Sequence, residues 1–178
     1  EAILIQGAEI YCEYRGYASS FQFKGNYVDN RYVNEDKILN REIIAIDALN
    51  FSSQCVPQFS HQAVLRELNK AYVGFFADND LNSEERKPIS TGRWGCGAFS
   101  GDSQLKLIIQ WIAASRANRP VLFYSFGDGS LSKTDQILKK YKGKKICDLL
   151  KDLLAYCNHL AKSNNRKIDL YTSLLSCQ

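Results

Sequence analysis

Methionine is absent from all 178 residues, and the chain opens at Glu1 directly before the apolar run Ala2-Ile3-Leu4-Ile5. Two origins fit that opening, removal of a leader or a C-terminal piece of a longer protein, and a start on what reads as an internal strand favours the piece. No apolar run approaches the length of a membrane-spanning helix, so no membrane partner is expected. Histidine is scarce, with only His61 and His159. The six cysteines (Cys12, Cys55, Cys96, Cys147, Cys157 and Cys177) form no CxxC pair. Zinc-knuckle and thioredoxin-type chemistry are thereby excluded, and neither a metal nor another cofactor is expected. An even cysteine count permits disulfides, but several of these residues fall at apolar helical positions and read as reduced, buried thiols.

What is present suits one globular domain with a real core: 45% hydrophobic and 24% charged residues, with a net charge of +4. Strand-like and helix-like segments alternate. Ala2 to Ile5, Glu42 to Leu49 (EIIAIDAL) and Pro120 to Phe126 (PVLFYSF) are short apolar runs of the kind found in strands buried on both faces. A helix is predicted over His61 to Phe75. In a second, Leu105, Ile108, Ile109, Ile112 and Ala113 share one face, with Asp102 or Ser103 as N-cap. After Gly127, Ile146, Leu149, Leu150, Leu153, Leu154, Cys157 and Leu160 trace a long helical stripe, which is predicted to pack across the sheet. Asp78 to Pro88 is a polar loop. Alternating strands and helices argue for a three-layer α/β domain whose strand order the pattern leaves open.

Thr91 to Phe126 is the most informative stretch. A glycine-rich loop, TGRWGCGAFSGD, opens the second helix, which runs into an apolar strand ending in Phe-Gly-Asp. Gly92, Gly95, Gly97 and Gly101 let the backbone turn tightly and approach a ligand. Amides beside a helix start are unpaired donors at the positive end of its dipole, so a diphosphate or other anion is the natural guest. Neither the dinucleotide GxGxxG nor the P-loop lysine signature is present, so plain tight turning remains the alternative.

The loop, its helix and FYSFGD closely resemble the macrodomain part of poly(ADP-ribose) glycohydrolases. IYCEYRGYA (Ile10 to Ala18), EIIAIDAL and RELNKAYVGF (Arg66 to Phe75) agree with that family in order and spacing. The resemblance covers nearly the whole chain, most weakly Asp78 to Ser90 and the part after Asp128. It implies an α/β fold, a three-layer macrodomain-like mixed sheet with flanking helices, with residues 1–178 forming the C-terminal part of a catalytic macrodomain. It implies hydrolysis of ribose-ribose linkages in poly(ADP-ribose) with release of ADP-ribose, and nuclear and cytoplasmic location. It also implies binding roles for individual residues. Gly95, Gly97, Ala98 and Phe99 belong to the loop covering the diphosphate, with Phe99 setting the terminal ribose. Phe126 matches the aromatic stacked on adenine, and Tyr17 the tyrosine that closes over the ligand.

Apart from the resemblance, these residues have plainer readings. Phe126, ending a buried strand, is by default a core residue, and on that basis its loss is expected to cost more stability than loss of Tyr17. Tyr14 and Tyr17 look like surface tyrosines near Gly16. Trp94 and Phe99 read equally as anchors of the loop to the core. Two positions depart from the family pattern: Arg93 replaces a small polar residue, and Ser100 replaces a glycine of the usual pair. A guanidinium beside a phosphate cradle either strengthens anion binding or obstructs a neighbouring polymer unit.

Glycosidic cleavage needs a carboxylic acid to protonate the leaving oxygen. In the resembled family this acid lies in a Gly-Gly-Gly…Gln-Glu-Glu signature, normally just upstream of where this chain starts, and no such string occurs here. Asp47 reads as a buried strand-end residue, Asp102 as a helix cap, Asp128 as a turn residue, and Glu84-Glu85 as solvated. No catalytic residue is therefore assigned. The chain is expected to be inactive alone, with the upstream segment, covalent or as a nicked chain, as its partner. The alternative is a binding module that recognises ADP-ribose without cleaving it. The lysine cluster Lys139, Lys140, Lys142, Lys144 and Lys145 has no accompanying nucleic-acid motif and reads as a solvated surface that attracts polyanions.

Overall fold

Helix formation follows the apolar periodicity closely, and a computed structural model shows how those helices are stacked. It describes residues 1–16, 18–28, 41–53, 57–76, 87–162 and 168–177. Two units make up the chain: Ile3–Ala45 is one, and Glu1–Ala2 with Ile46–Gln178 is the other.

The smaller unit holds two antiparallel pairs. Strand β1 (Ile3–Gln6) pairs with β4 (Glu42–Ala45), Ile3 opposite Ala45. Strand β2 (Cys12–Arg15) pairs with β3 (Gln22–Asn26) across a register shift between Glu13 and Tyr14. Tyr14 is exposed and stacks on Phe21 at 5.6 Å. Tyr17 lies outside the described residues.

The larger unit is built around a β-α-β crossover. Strand β5 (Ile89–Thr91) leads through the glycine loop into α2 (Ser103–Arg116), which returns to β6 (Val121–Phe123), and β5 and β6 pair in parallel with Ile89 opposite Val121. Nearly every position of α2 from Ser103 to Ala114 is buried, as expected of a helix covered on all sides. Helix α1 (His61–Phe76) packs against it, burying Val64, Ala71 and Phe75. Helices α3 (Thr134–Tyr141), α4 (Ile146–Lys162) and α5 (Leu170–Ser176) complete the unit.

The α/β class stands, and three expectations are corrected. The apolar runs are not strands buried on both faces: Ile3, Ile5, Ile43 and Leu122 are exposed, and among the described residues the strands form three separate pairs. The run at Glu42 stops being a strand at Ala45, because side chains capture the backbone beyond it. The Ile46 carbonyl accepts from Trp94 Nε1 (3.2 Å), the Asp47 carbonyl from Arg66 (3.1 Å), and the Leu49 amide donates to Glu67 (3.0 Å). Finally, α4 packs on α2 and α5 rather than across a sheet, burying Leu149, Leu153, Tyr156 and Cys157.

Buried polar contacts hold the late helices in place. Gln104 of α2 accepts from the Tyr171 amide (3.0 Å) and donates to the Ser130 carbonyl (2.8 Å). Lys140 is not simply one of a solvated cluster: its ammonium donates to the Leu174, Leu175 and Cys177 carbonyls, closing the C-terminus of α5. Cys12, Cys96, Cys147, Cys157 and Cys177 are free thiols, with Cys96 and Cys157 buried, while Cys55 lies outside the described residues. Burial raises the Cys157 thiol to about 11.

Candidate functional site

Parallel strands in an open α/β unit place their ligand-binding loops at their carboxyl ends. Here β5 ends in the glycine loop and β6 ends in the turn Tyr124 to Asp128, so the two informative motifs emerge side by side.

The loop folds on itself before entering α2. The Cys96 amide donates to the Arg93 carbonyl (3.0 Å), Ser100 to Gly97 (3.0 Å) and Gly101 to Gly95 (2.9 Å), while Gly95 takes φ +75°. Asp102 accepts from the Leu105 amide (2.9 Å) as the N-cap, and its own amide donates to Gln58 (2.8 Å). Among the described residues, the amides of Gly97, Ala98 and Phe99 have no protein acceptor, and all three residues are exposed. The set of amides open to an anion is therefore narrower than the sequence suggests, since those of Trp94, Cys96, Ser100, Gly101 and Asp102 are used within the fold. Ser100 occupies φ +55°, a conformation that favours glycine.

Phe126 is not a core residue. It is 79% exposed and sits at φ +51°, in the left-handed region that a bulky side chain seldom adopts. Its ring lies 6.4 Å from that of Tyr124, which is also exposed. Gly92 supplies the space beside it, for a Cβ there would lie 2.8 Å from Phe126 Cε2 and 2.9 Å from the Tyr124 carbonyl oxygen. An exposed aromatic face is thus presented next to the base of the glycine loop.

Arg93 ties the loop and the turn together. Its Nε lies 3.0 Å from Asp128 and donates to Ser103 Oγ (3.2 Å), and Ser103 in turn donates to Asp128 (2.7 Å). Arg93 therefore has a structural use here. Hydrogen bonds from Ser103 and Ser130, followed by the Arg93 charge, hold the Asp128 carboxyl at about 2, below its ordinary 3.8. A depressed carboxyl stabilises the fold above its unfolded-state value and ceases to do so as pH falls through its folded-state value. An acid titration of stability should therefore show Asp128→Asn weaker than the wild type above pH 4 (roughly, the unfolded carboxyl value), with the difference disappearing towards pH 2; a constant difference would contradict this linkage.

A polar stripe that sequence reading missed runs beneath the loop. Ser103, Lys106 and Gln110, at i, i+3 and i+7 of α2, are buried together. Gln110 accepts from Thr91 Oγ1 (2.6 Å) and donates to the Gly92 carbonyl (3.0 Å). Lys106 is wholly buried and pairs with Glu67 of α1, whose other oxygen accepts from Leu49 and from Arg66 (2.5 Å). Attention to the apolar face of α2 hid this stripe, although its spacing was a readable signal.

The remaining carboxylates are occupied in other ways. Asp47, expected to be buried, is 63% exposed and ion-paired with Arg66 and Lys70; the hydrogen bonds from Lys70 and then Arg66 hold it at about 2. Glu84 and Glu85 lie outside the described residues. A separate cavity of about 720 Å³, lined by Leu107, Trp111, Val121, Phe123, Leu131 and Leu138 among others, borders Gly127 and Asp128. It includes none of Gly95, Gly97, Ala98, Phe99 or Phe126. Among the described residues no group of three or more His, Cys, Asp or Glu side chains is placed to hold a metal ion, and no helix is long and apolar enough to cross a membrane.

A β-α-β corner that releases an amide-bearing glycine loop beside an exposed aromatic makes this an α/β domain with its open loop at the carboxyl ends of a parallel strand pair. Residues 1–133 match the family described as Poly (ADP-ribose) glycohydrolase (PARG), Macro domain fold, and the chain belongs to that family. Poly(ADP-ribose) glycohydrolase 1 of Arabidopsis thaliana is 32% identical over 226 aligned residues, covering 88% of this chain and 40% of the relative. Probable poly(ADP-ribose) glycohydrolase 2 of the same plant is 31% identical, covering 88% and 37%. Poly(ADP-ribose) glycohydrolase 1 of Caenorhabditis elegans is 36% identical over 157 residues, covering 82% and 20%. The chain thus spans well under half the length of these relatives.

Proposed function

We propose that the complete protein hydrolyses ribose-ribose O-glycosidic bonds in poly(ADP-ribose) and releases ADP-ribose, with this chain supplying one side of the substrate cleft. The carrying observation is the pairing of unengaged amides at Gly97, Ala98 and Phe99 with the exposed, left-handed Phe126. The amides suit the diphosphate, and an aromatic face suits the purine. Phe99, partly exposed on the same loop, sets the terminal ribose, and Tyr17 closes over the ligand. Gly95 gives the loop its turn.

The acid that protonates the leaving oxygen belongs to an upstream Glu-Glu segment, present covalently or as a nicked chain. In support, Asp47 and Asp128 are held ionised by cations and hydrogen bonds, and Asp102 is spent on a helix cap. Such carboxylates are poor general acids near neutrality. The protein is proposed to act in the nucleus and cytoplasm, in the response to DNA damage.

The same occupied carboxylates also fit a non-catalytic ADP-ribose-binding module. Assaying polymer hydrolysis by the complete protein and by residues 1–178 decides between the two. The hydrolase reading expects release of ADP-ribose by the complete protein and none by residues 1–178 alone. Binding without hydrolysis by the complete protein selects the module, and no ADP-ribose binding at millimolar ligand removes both.

A further inference from the structure

Lysine is among the residues least often buried, and removing an ammonium from water costs several kcal/mol even after relaxation. Lys106 is nevertheless 0% exposed, in contact with Glu67, itself 1% exposed. Apolar residues of similar volume often fill such a site at no loss of stability, so the pair calls for another explanation.

Residues of the glycine loop, together with Phe51, surround the end of this side chain. Lys106 Nζ lies 4.0 Å from the centroid of the Trp94 ring and 5.9 Å from that of Phe51. Gly95 folds over it so closely that a Cβ there would lie 3.2 Å from Nζ, and a Cβ on Gly101 would lie 3.2 Å from Lys106 Cε. Gly95 and Gly101 are the two residues whose hydrogen bond closes the loop, and the free amides of Gly97, Ala98 and Phe99 hang from that closure. Glu67 extends the brace to the far side. Its second oxygen holds the Leu49 amide (3.0 Å), and two residues on, the Phe51 amide donates to the Phe99 carbonyl (2.9 Å).

An apolar side chain would fill the same volume, but it would not orient the Trp94 ring or tie Glu67 to the loop.

We propose that Lys106 is a positioning residue for the diphosphate of ADP-ribose: clamped by Glu67 and capped by Trp94, it sets the shape of the Gly95–Gly101 loop that carries the open amides. This rests on the reading above that the diphosphate lies on that loop. Lys106 touches no substrate; it acts through the backbone it supports.

The test uses the complete protein carrying Glu67→Leu with Lys106→Met, which removes both charges and leaves none unpaired. A second variant, Glu67→Gln with Lys106→Met, keeps an acceptor for Leu49 and covers the case in which the first does not fold. Melting temperature, affinities for ADP-ribose and for adenosine, and hydrogen exchange of the hydrogen-bonded Cys96, Ser100 and Gly101 amides that close the loop are compared with the wild type. Expected are a melting temperature within a few degrees of the wild type, ADP-ribose affinity lower by about tenfold or more, adenosine affinity within about twofold, and faster exchange at the Cys96, Ser100 and Gly101 amides. Unchanged ADP-ribose affinity and exchange in a folded variant overturns the proposal, and so does an equal loss for ADP-ribose and adenosine. If the wild type binds no ADP-ribose, the ligand reading fails while the exchange comparison still decides whether Lys106 shapes the loop.

Discussion

Replacing Glu67 by alanine is expected to destabilise the larger unit by about 3–5 kcal/mol, the cost of breaking a buried ion pair from one side. The Lys106 ammonium would remain wholly buried without its carboxylate, and the Leu49 amide would lose its acceptor. Burial first, and then the charge of Arg66, push the lysine below its ordinary value. Chemical denaturation of the complete protein checks this. A loss below about 1 kcal/mol, the ordinary size for an exposed pair, would mean that water reaches the site. The contrast with the charge-free double variant is informative, because only the single substitution orphans a charge.

Replacing Phe126 by alanine is expected to weaken ADP-ribose binding by the complete protein by about 1–3 kcal/mol, roughly 5- to 150-fold, with little change in melting temperature. The side chain is 79% exposed, so its removal opens no cavity and forfeits little apolar burial. The sequence alone suggests a larger stability loss here than at Tyr17, on the premise of a core ring, and the exposure of the ring removes that premise. Phe126→Gly sharpens the test. At φ +51° a phenylalanine is strained by roughly 1–2 kcal/mol and glycine is not, so the glycine variant should be at least as stable as wild type while binding as poorly as alanine. Calorimetric titration and thermal melting report the two effects separately. Wild-type affinity in both variants would show that the ring does not carry the purine.

These two residues show why the site was only half legible beforehand. The glycines of the loop, the cap at Asp102 and the aromatic at Phe126 stand within 35 positions of one another, and each leaves a local mark: a turn former, a capping side chain, the end of an apolar run. Glu67 and Lys106 leave none that can be read as a pair. They are 39 positions apart on different helices, and each alone looks like a surface charge on an amphipathic helix. Arg93 is similar. Its spacing raised the question of what a guanidinium does near a phosphate cradle, but the answer, Asp128 and Ser103, required the loop and the turn to be brought side by side.

Periodicity and punctuation alone determined the helices α1, α2 and α4, the α/β class and the place of the glycine loop at the head of α2, because those features depend on neighbours three or four residues away. Tertiary structure decided which amides of the loop stay open, that Phe126 faces solvent, that α4 rests on helices, and that a buried ion pair lies against the loop. Each of these depends on which groups meet across long stretches of chain, where burial and pairing decide the energy, and no local spacing encodes that meeting.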